Sequence, residues 1–152
     1  MEDMKIRCML NVLGKPREFV KEVMEKKLEK IKRERKVYSS QLFEPKKVGR
    51  SFYSVLMEVE TEVKDFTDLV SFILDYVPVN IEILEEENLN FEVADFQSGV
   101  NDLITRIQEY EEGIRAFSAS TKILSDRLRQ ILQQKNDKNE KRKKRGKKSN
   151  SG

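Results

Sequence analysis

The chain has no histidine and a single cysteine, Cys8, among its 152 residues. The absence of histidine removes the side chain that most often acts as a general base or metal ligand. One cysteine cannot form an internal disulfide, and without histidine it cannot complete a structural zinc site. Because Cys8 lies on an alternating apolar run, we expect it to be a small buried hydrophobic residue rather than a nucleophile.

Long apolar runs are also missing. No stretch approaches the ~18 residues that a membrane helix needs, and the start Met1-Glu2-Asp3 lacks a secretory pattern. We therefore expect a cytoplasmic protein without a membrane contact. Hydrophobic residues make up 38% of the chain, a low share for a fully globular protein, which favours one small domain with a solvated appendage.

Apolar periodicity predicts strand, helix, strand, strand, helix, strand between residues 4 and 85. Strict alternation from Lys5 to Leu13 marks the first strand, and Asp65 is a suitable N-cap for the second helix. This order predicts an α+β, ferredoxin-like βαββαβ domain, with an antiparallel sheet in the order 4-1-3-2 and both helices on one face.

That topology makes the first and third strands antiparallel neighbours. Lys5 and Arg7, at the start of one, are then expected beside Glu62 and Glu60, at the end of the other. Opposite charges facing each other across strands contribute about 0.2–1 kcal/mol per pair. At the far ends we expect Met9, Asn11 and Leu13 near Leu56, Ser54 and Phe52, and the exact register stays open.

A seam in strict 4-3 alternation follows an acidic linker at 86–94 and predicts a long coiled-coil helix over 95–134. Only Thr121 in the seam is polar. A helix cannot bury such a stripe alone, so we expect a homodimer or a helical partner protein. The predicted oligomer interface is Phe96, Val100, Leu103, Ile107, Tyr110, Ile114, Phe117, Leu124, Leu128 and Ile131.

The orientation of the paired helices stays open. The seam residues alternate between the heptad positions called a and d. β-branched residues at a and the five-residue spacing from Arg106 to Glu111 favour parallel helices, whereas the aromatic residues at d weaken that preference. Two other arrangements compete: the helix folds back over Met9, Leu13, Phe52 and Leu56, or it breaks between Gly113 and Thr121 into a helical hairpin.

The C-terminal segment 135–152 is strongly basic, with nine Lys or Arg and two acidic residues, a net charge of +7. The other 134 residues hold 21 basic and 25 acidic residues, a net charge of −4. We expect this tail to be disordered, and either to bind RNA or DNA phosphates or only to solubilise the chain. The candidate nucleic-acid-binding residues are Lys141, Arg142, Lys143, Lys144, Arg145, Lys147 and Lys148.

Three carboxylates on one strand face, Glu58, Glu60 and Glu62, raise the possibility of a metal or acid–base site. No phosphate-binding loop, nucleophile motif or second carboxylate cluster accompanies them. Their expected charge partners on the first strand favour a solvated face instead. We therefore assign no catalytic, metal-binding or cofactor-binding residue and expect no enzyme activity.

The predicted βαββαβ arrangement also resembles ACT-type regulatory domains, which bind small ligands beside the first strand–helix turn. In this sequence that turn is Leu13-Gly14-Lys15-Pro16. More broadly, residues 5–132 are similar to small uncharacterised archaeal proteins. That similarity lies in the first strand, Glu44-Pro45, and the run from Phe66 to Ile83 containing Asp75-Tyr76-Val77-Pro78. It implies no established activity.

Taken together, these patterns favour a non-enzymatic assembly module that dimerises through its heptad helix. A nucleic-acid-associated protein acting through its tail and an ACT-like ligand sensor are the alternatives.

Overall fold

A computed structural model describes residues 3–85 and 88–148, the last two by their backbone alone. The chain is an α+β protein with a five-stranded antiparallel sheet and a long C-terminal helix. Its elements follow the order β1 (Met4–Gly14), α1 (Arg17–Glu34), β2 (Val37–Leu42), β3 (Lys46–Val48), β4 (Phe52–Val63), α2 (Phe66–Tyr76), β5 (Asn80–Ile83) and α3 (Val93–Lys148).

Strand β1 lies between β4 and β5 and is antiparallel to both. Lys5 faces Glu62 and Arg7 faces Glu60, as the charge pattern predicted. At the far ends, where the sequence left the register open, Asn11 lies opposite Leu56 and Leu13 opposite Ser54. A shift of two leaves every side chain on the same face, so the alternation of apolar residues could not distinguish the two registers.

The sheet has five strands, whereas the sequence predicted four. The sheet runs β2-β4-β1-β5, and a fifth strand, β3, also pairs with β4. Strands β2 and β3 occupy successive parts of the same edge and are separated by Phe43-Glu44-Pro45. Proline has no N–H to donate and commonly interrupts edge strands. The connection between β2 and β4 thus contains a short strand, and Gly49, at φ 63°, makes the turn into β4.

The core of the sheet lies on one face, against α1 and α2. Alternation along β1 buries Cys8, as expected, and burial raises the pKa of its thiol to about 11. Thr61 is the one buried polar residue within the described chain, and its hydroxyl donates to the Lys36 carbonyl. The fully enclosed apolar residues include Ile6, Leu10, Val20, Met24, Ile31, Val55, Met57, Val59, Val63 and Phe72.

Arg35, immediately after α1, joins α1 to the first turn of α2. Its guanidinium donates two hydrogen bonds to the Asp68 carboxylate, at 2.8 and 3.1 Å. Partial burial acts to raise the pKa of Asp68, but Arg35 and the Lys64 N–H hold it below its ordinary value. Asp65 caps α2 by accepting from the Asp68 N–H, as the sequence indicated.

Internal contacts divide the chain into two units, residues 1–106 and 107–152. Helix α3 begins at Val93 rather than 95 and has no break between Gly113 and Thr121. It also includes residues 135–148, which we predicted to be disordered; residues 149–152 of that tail lie outside the described part of the chain. Lysine, arginine, glutamate and glutamine are good helix formers, so a polar composition does not by itself prevent a helix.

Val77 ends α2 in a left-handed conformation, with φ 50° and ψ 59°. Its N–H still donates to the Ile73 carbonyl, which closes the last turn. A β-branched residue is rare in this region because its Cβ approaches neighbouring backbone atoms. The valine side chain is 62% exposed, so burial offsets little of that strain.

We expect Val77→Gly to raise the free energy of unfolding by about 1 kcal/mol, because glycine adopts this conformation without a steric penalty. Val79→Gly is the matched control, since Val79 is 61% exposed and its φ is not positive. The control should be neutral or destabilising. Urea titration of both variants measures the difference, and a loss of stability in Val77→Gly would contradict the strain argument.

Candidate self-association surface

The beginning of α3 caps helix α2. The Asp95 carboxylate accepts hydrogen bonds from the backbone N–H groups of Phe66 and Thr67, at 2.9 and 3.1 Å, and from the Thr67 hydroxyl, at 2.8 Å. Desolvation acts to raise the pKa of Asp95, but these three donors hold it below its ordinary value. A carboxylate at the positive end of a helix is electrostatically favourable, so this contact attaches α3 to α2.

Gly99 allows α3 to approach α2 closely. A Cβ at this position would lie 2.6 Å from Cδ1 of Phe66 and 3.3 Å from Cγ2 of Val70. The Phe66 ring has limited room to move, because it stacks on Phe96 at 4.7 Å and contacts Phe91 at 5.3 Å. Glycine is therefore required here by packing. Our sequence interpretation missed both Asp95 and Gly99; a glycine within an otherwise apolar helical pattern was the available signal.

The predicted interface residues fall into two groups. Phe96, Val100 and Leu103 lie in the first unit, on the part of α3 that follows the Asp95 cap. The other seven lie in the second unit, and their side chains are 48% to 75% exposed. These seven residues are Ile107, Tyr110, Ile114, Phe117, Leu124, Leu128 and Ile131. The surfaces of Leu13, Phe52 and Leu56, which a folded-back helix would cover, are exposed as well.

Thr121, the one polar residue of the seam, has its hydrogen-bonding need met locally. Its hydroxyl donates to the Phe117 carbonyl, one turn earlier, at 2.9 Å. A threonine bonded in this way can enter an apolar interface without an unsatisfied donor. Thr121 can therefore be buried in the seam without the free-energy cost of an unsatisfied hydroxyl group.

The residues beside the seam are partly apolar and partly small. Ile104 and Leu132 are about half exposed, at 49% and 52%, although neither belongs to the 4-3 alternation. Between them lie Gly113 and three serines, at 118, 120 and 125. Small side chains beside a seam permit close approach of a second helix.

The two charged residues that favoured parallel pairing have partners within the chain. Arg106 lies 4.0 Å from the Asp75 carboxylate, and Glu111 lies 3.7 Å from the Arg115 guanidinium. The spacing of Arg106 and Glu111 therefore carries less weight for helix orientation than it did in the sequence alone.

The basic residues of the tail lie on α3. Lys141, Arg142, Lys143, Lys144 and Arg145 are exposed, whereas the side chains of Lys147 and Lys148 lie outside the described residues. Five consecutive basic residues on a helix of 3.6 residues per turn surround its axis. The tail thus has positive charge on all sides rather than one basic face.

Two of the three carboxylates that the sequence placed on one sheet face, Glu60 and Glu62, are paired with side chains of neighbouring strands. Arg7 donates to Glu60 at 2.9 Å and to Glu82 at 3.0 Å, and it bridges three strands. Glu62 accepts from the Tyr38 hydroxyl and lies near Lys36. Hydrogen bonds from Arg7 and Tyr38 lower the pKa values of Glu60 and Glu62, respectively. Within the described residues, no three Cys, Asp or Glu side chains are grouped to hold a metal ion.

The first strand–helix turn, which an ACT-like domain would use, has a packing explanation. A Cβ on Gly14 would lie 3.0 Å from Cγ1 of Val20, so the turn sits closely on α1. The Lys15 ammonium lies 5.4 Å from the centre of the Phe52 ring. The glycine is therefore accounted for without a ligand.

Comparison with known proteins adds one relationship. The sequence model of the MJ0538 family matches residues 5–139. The chain belongs to the MJ0538 family. The MJ0538 match covers the αβ elements and the whole exposed seam, and it ends before the basic cluster that starts at Lys141. No curated protein and no solved structure matches the chain. Among the described helices, none combines the length and apolarity that a membrane crossing requires.

We expect Gly99→Ala to lower the free energy of unfolding by about 1–3 kcal/mol, because its methyl group would overlap the Phe66 ring. Gly113→Ala is the matched control in the same helix, where nothing lies within 4 Å of an added Cβ. The control should gain up to about 1 kcal/mol from helix propensity. Thermal denaturation followed by circular dichroism measures both, and equal stability of the two variants would contradict the close contact.

Proposed function

We propose that this protein is a non-enzymatic, cytoplasmic assembly module that self-associates through the α3 segment 107–131. The observation that carries the proposal is the run of seven large apolar side chains that are exposed at heptad spacing. Monomeric proteins rarely leave a continuous apolar stripe in water. A second helix with the same spacing buries such a stripe, because each seam side chain of one helix fits between four side chains of the facing helix.

Self-association explains why the stripe is so regular. An amphipathic helix that packs on its own domain needs a wider and less strict stripe, with a period near 3.6 residues. Strict 4-3 alternation gives a narrower stripe with a period of 3.5, which is typical of supercoiled helices. The polar majority of the segment, which includes Glu112, Lys122 and Asp126, is consistent with a face left in water.

The αβ unit is, by the same proposal, a variant of the ferredoxin-like fold. Support comes from its helix and strand order, from the central position of β1 between β4 and β5, and from one core against both helices. The division of one edge into β2 and β3 at Pro45 is then a local departure from that fold. The module would present two such units on paired helices, so that weak contacts made by each unit combine.

The seam is tested by Ile114→Lys combined with Leu128→Lys. Both are seam residues, fourteen positions apart and more than half exposed. Two buried ammonium groups per chain should raise the dissociation constant of the dimer by about 1,000-fold, or about 4 kcal/mol. Size-exclusion chromatography with light scattering should change from twice the 17.9 kDa chain mass to a single chain mass.

The matched control is Ala119→Lys combined with Gln133→Lys. It adds the same charge at the same fourteen-residue spacing, on the side of the helix opposite the seam. The control should keep the wild-type mass, and the sheet signal in circular dichroism should be unchanged in both proteins. A wild-type chain that remains monomeric at several hundred micromolar, or a seam variant with an unaltered mass, would refute the proposal.

A further inference from the structure

We propose that two copies pair with antiparallel α3 helices about a two-fold axis at Ala119, so that the basic end of each helix lies beside the acidic beginning of the other. The inference rests on the proposed function. It names the second copy as the partner and fixes the register and direction of pairing.

The position of the axis follows from the part of the exposed seam that lies in the second unit; Phe96 and Leu103, in the first unit, are 51% and 37% exposed. Ile107 and Ile131 are the outermost exposed seam residues of the second unit, and Ala119 is midway between them. With the axis there, each seam residue faces the seam residue equally distant from 119 on the second copy, and flanking residues lie beside flanking residues of the same heptad position. Every a position then meets a d position, which is how antiparallel coiled helices pack. The facing pairs are Ile107 with Ile131, Tyr110 with Leu128, Ile114 with Leu124, and Phe117 with Thr121.

Side-chain size supports this register. Phe117, the most exposed seam residue of the second unit at 75%, would face Thr121, the smallest. A parallel dimer would instead place Phe117 on Phe117 and Tyr110 on Tyr110, two bulky aromatic layers, with two threonines together in another. At the antiparallel axis, Ser118 and Ser120 meet their own copies, and these small residues let the helices approach closely.

Two apolar residues outside the seam also find partners. Ile104 and Leu132 occupy equivalent flanking positions, and each is about half exposed. In the antiparallel register they face each other across the two copies. In a parallel register Leu132 would lie beside Arg127 of the second copy, and Ile104 beside Gly99. The antiparallel arrangement therefore buries two apolar side chains that the parallel one leaves unmatched.

Charge distinguishes the two directions most strongly. The register set by the seam aligns residue 136 with 102 and residue 145 with 93, where α3 begins. Residues 93–102 contain two acidic and no basic residues, whereas residues 136–145 contain six basic and two acidic ones. Antiparallel pairing thus places the basic part of one helix along an acidic part of the other. Parallel pairing would place two ends of +7 side by side, within the ~8–10 Å over which charges interact at moderate salt.

Orientation is tested by disulfide cross-linking of Ile114→Cys and Leu124→Cys. The native Cys8 is buried and stays out of the reaction. In the antiparallel dimer, two copies of either variant hold their new cysteines about 15 Å apart along the axis, at ~1.5 Å per residue. Neither variant alone should cross-link, and an equimolar mixture refolded together should. Ala119→Cys, on the outer face, is the control that should not cross-link in any sample.

A parallel dimer would give the opposite result, because each variant alone would form a disulfide. That result would overturn the inference and leave the proposed function standing. A light-scattering dimer with no disulfide in any sample would overturn the register in the same way. A monomer by light scattering would refute the proposed function itself, so the two failures are distinguishable.

The contact between charged segments has its own test. Replacing Lys141, Arg142, Lys143, Lys144 and Arg145 by glutamine keeps good helix formers and removes five positive charges. We expect this variant to raise the dimer dissociation constant about tenfold at 50 mM salt and to remove most of the salt dependence. A lower dissociation constant in the variant would indicate that the two basic ends lie side by side. An unchanged dissociation constant would refute the contact between the basic and acidic segments.

Discussion

The apolar stripe of helix α3, exposed at heptad spacing from Ile107 to Ile131, is the constraint on which the proposed assembly depends. The first turns of α3 are attached to α2 by Asp95 and by the close approach at Gly99. From Ile107 to Ile131 the stripe continues at the same spacing, and its side chains are exposed. Burial of apolar surface contributes roughly 25 cal/mol per Å², so a second helix of matching spacing has a substantial driving force to pair with it.

The rest of the αβ unit offers few polar groups without partners. Arg7 holds Glu60 and Glu82 across three strands, and Arg35 holds Asp68 at the junction of the two helices. These ion pairs hold the carboxylates of Glu60, Glu82 and Asp68 within the αβ unit. Within the described chain, the exposed apolar and charged surface of α3 is therefore the feature that best supports self-association.

Much of this arrangement could be predicted from the sequence, because periodicity is a local property. Alternation identified β1 and β4, the βαββαβ order made them antiparallel neighbours, and the charges on Lys5, Arg7, Glu60 and Glu62 agreed with that pairing. The strand register at the far end could not be predicted, because a shift of two preserves the buried face. The sequence did not predict the break in the sheet edge at Pro45 or the helix over residues 135–148, because the composition of each segment is compatible with two local structures.

The contacts that attach α3 were missed for a different reason. Asp95 caps a helix that begins twenty-nine positions earlier in the chain, and nothing in its immediate neighbours indicates that partner. Gly99 is needed only because the Phe66 ring occupies the space where a side chain would lie. Both roles depend on which helices meet, so they become visible only when the fold is known.

The symmetric extent of the exposed seam also bears on how large an assembly can grow. If the seam is used as proposed, a two-fold axis at Ala119 employs the same surface on both copies, and the completed pair leaves no part of segment 107–131 for a third chain. A pairing shifted along the helix would leave one overhanging end on each copy and could extend into filaments. Centring the seam on Ala119 would thus make the dimer a closed endpoint, so that a rise in cellular concentration would fill dimers without causing polymerisation.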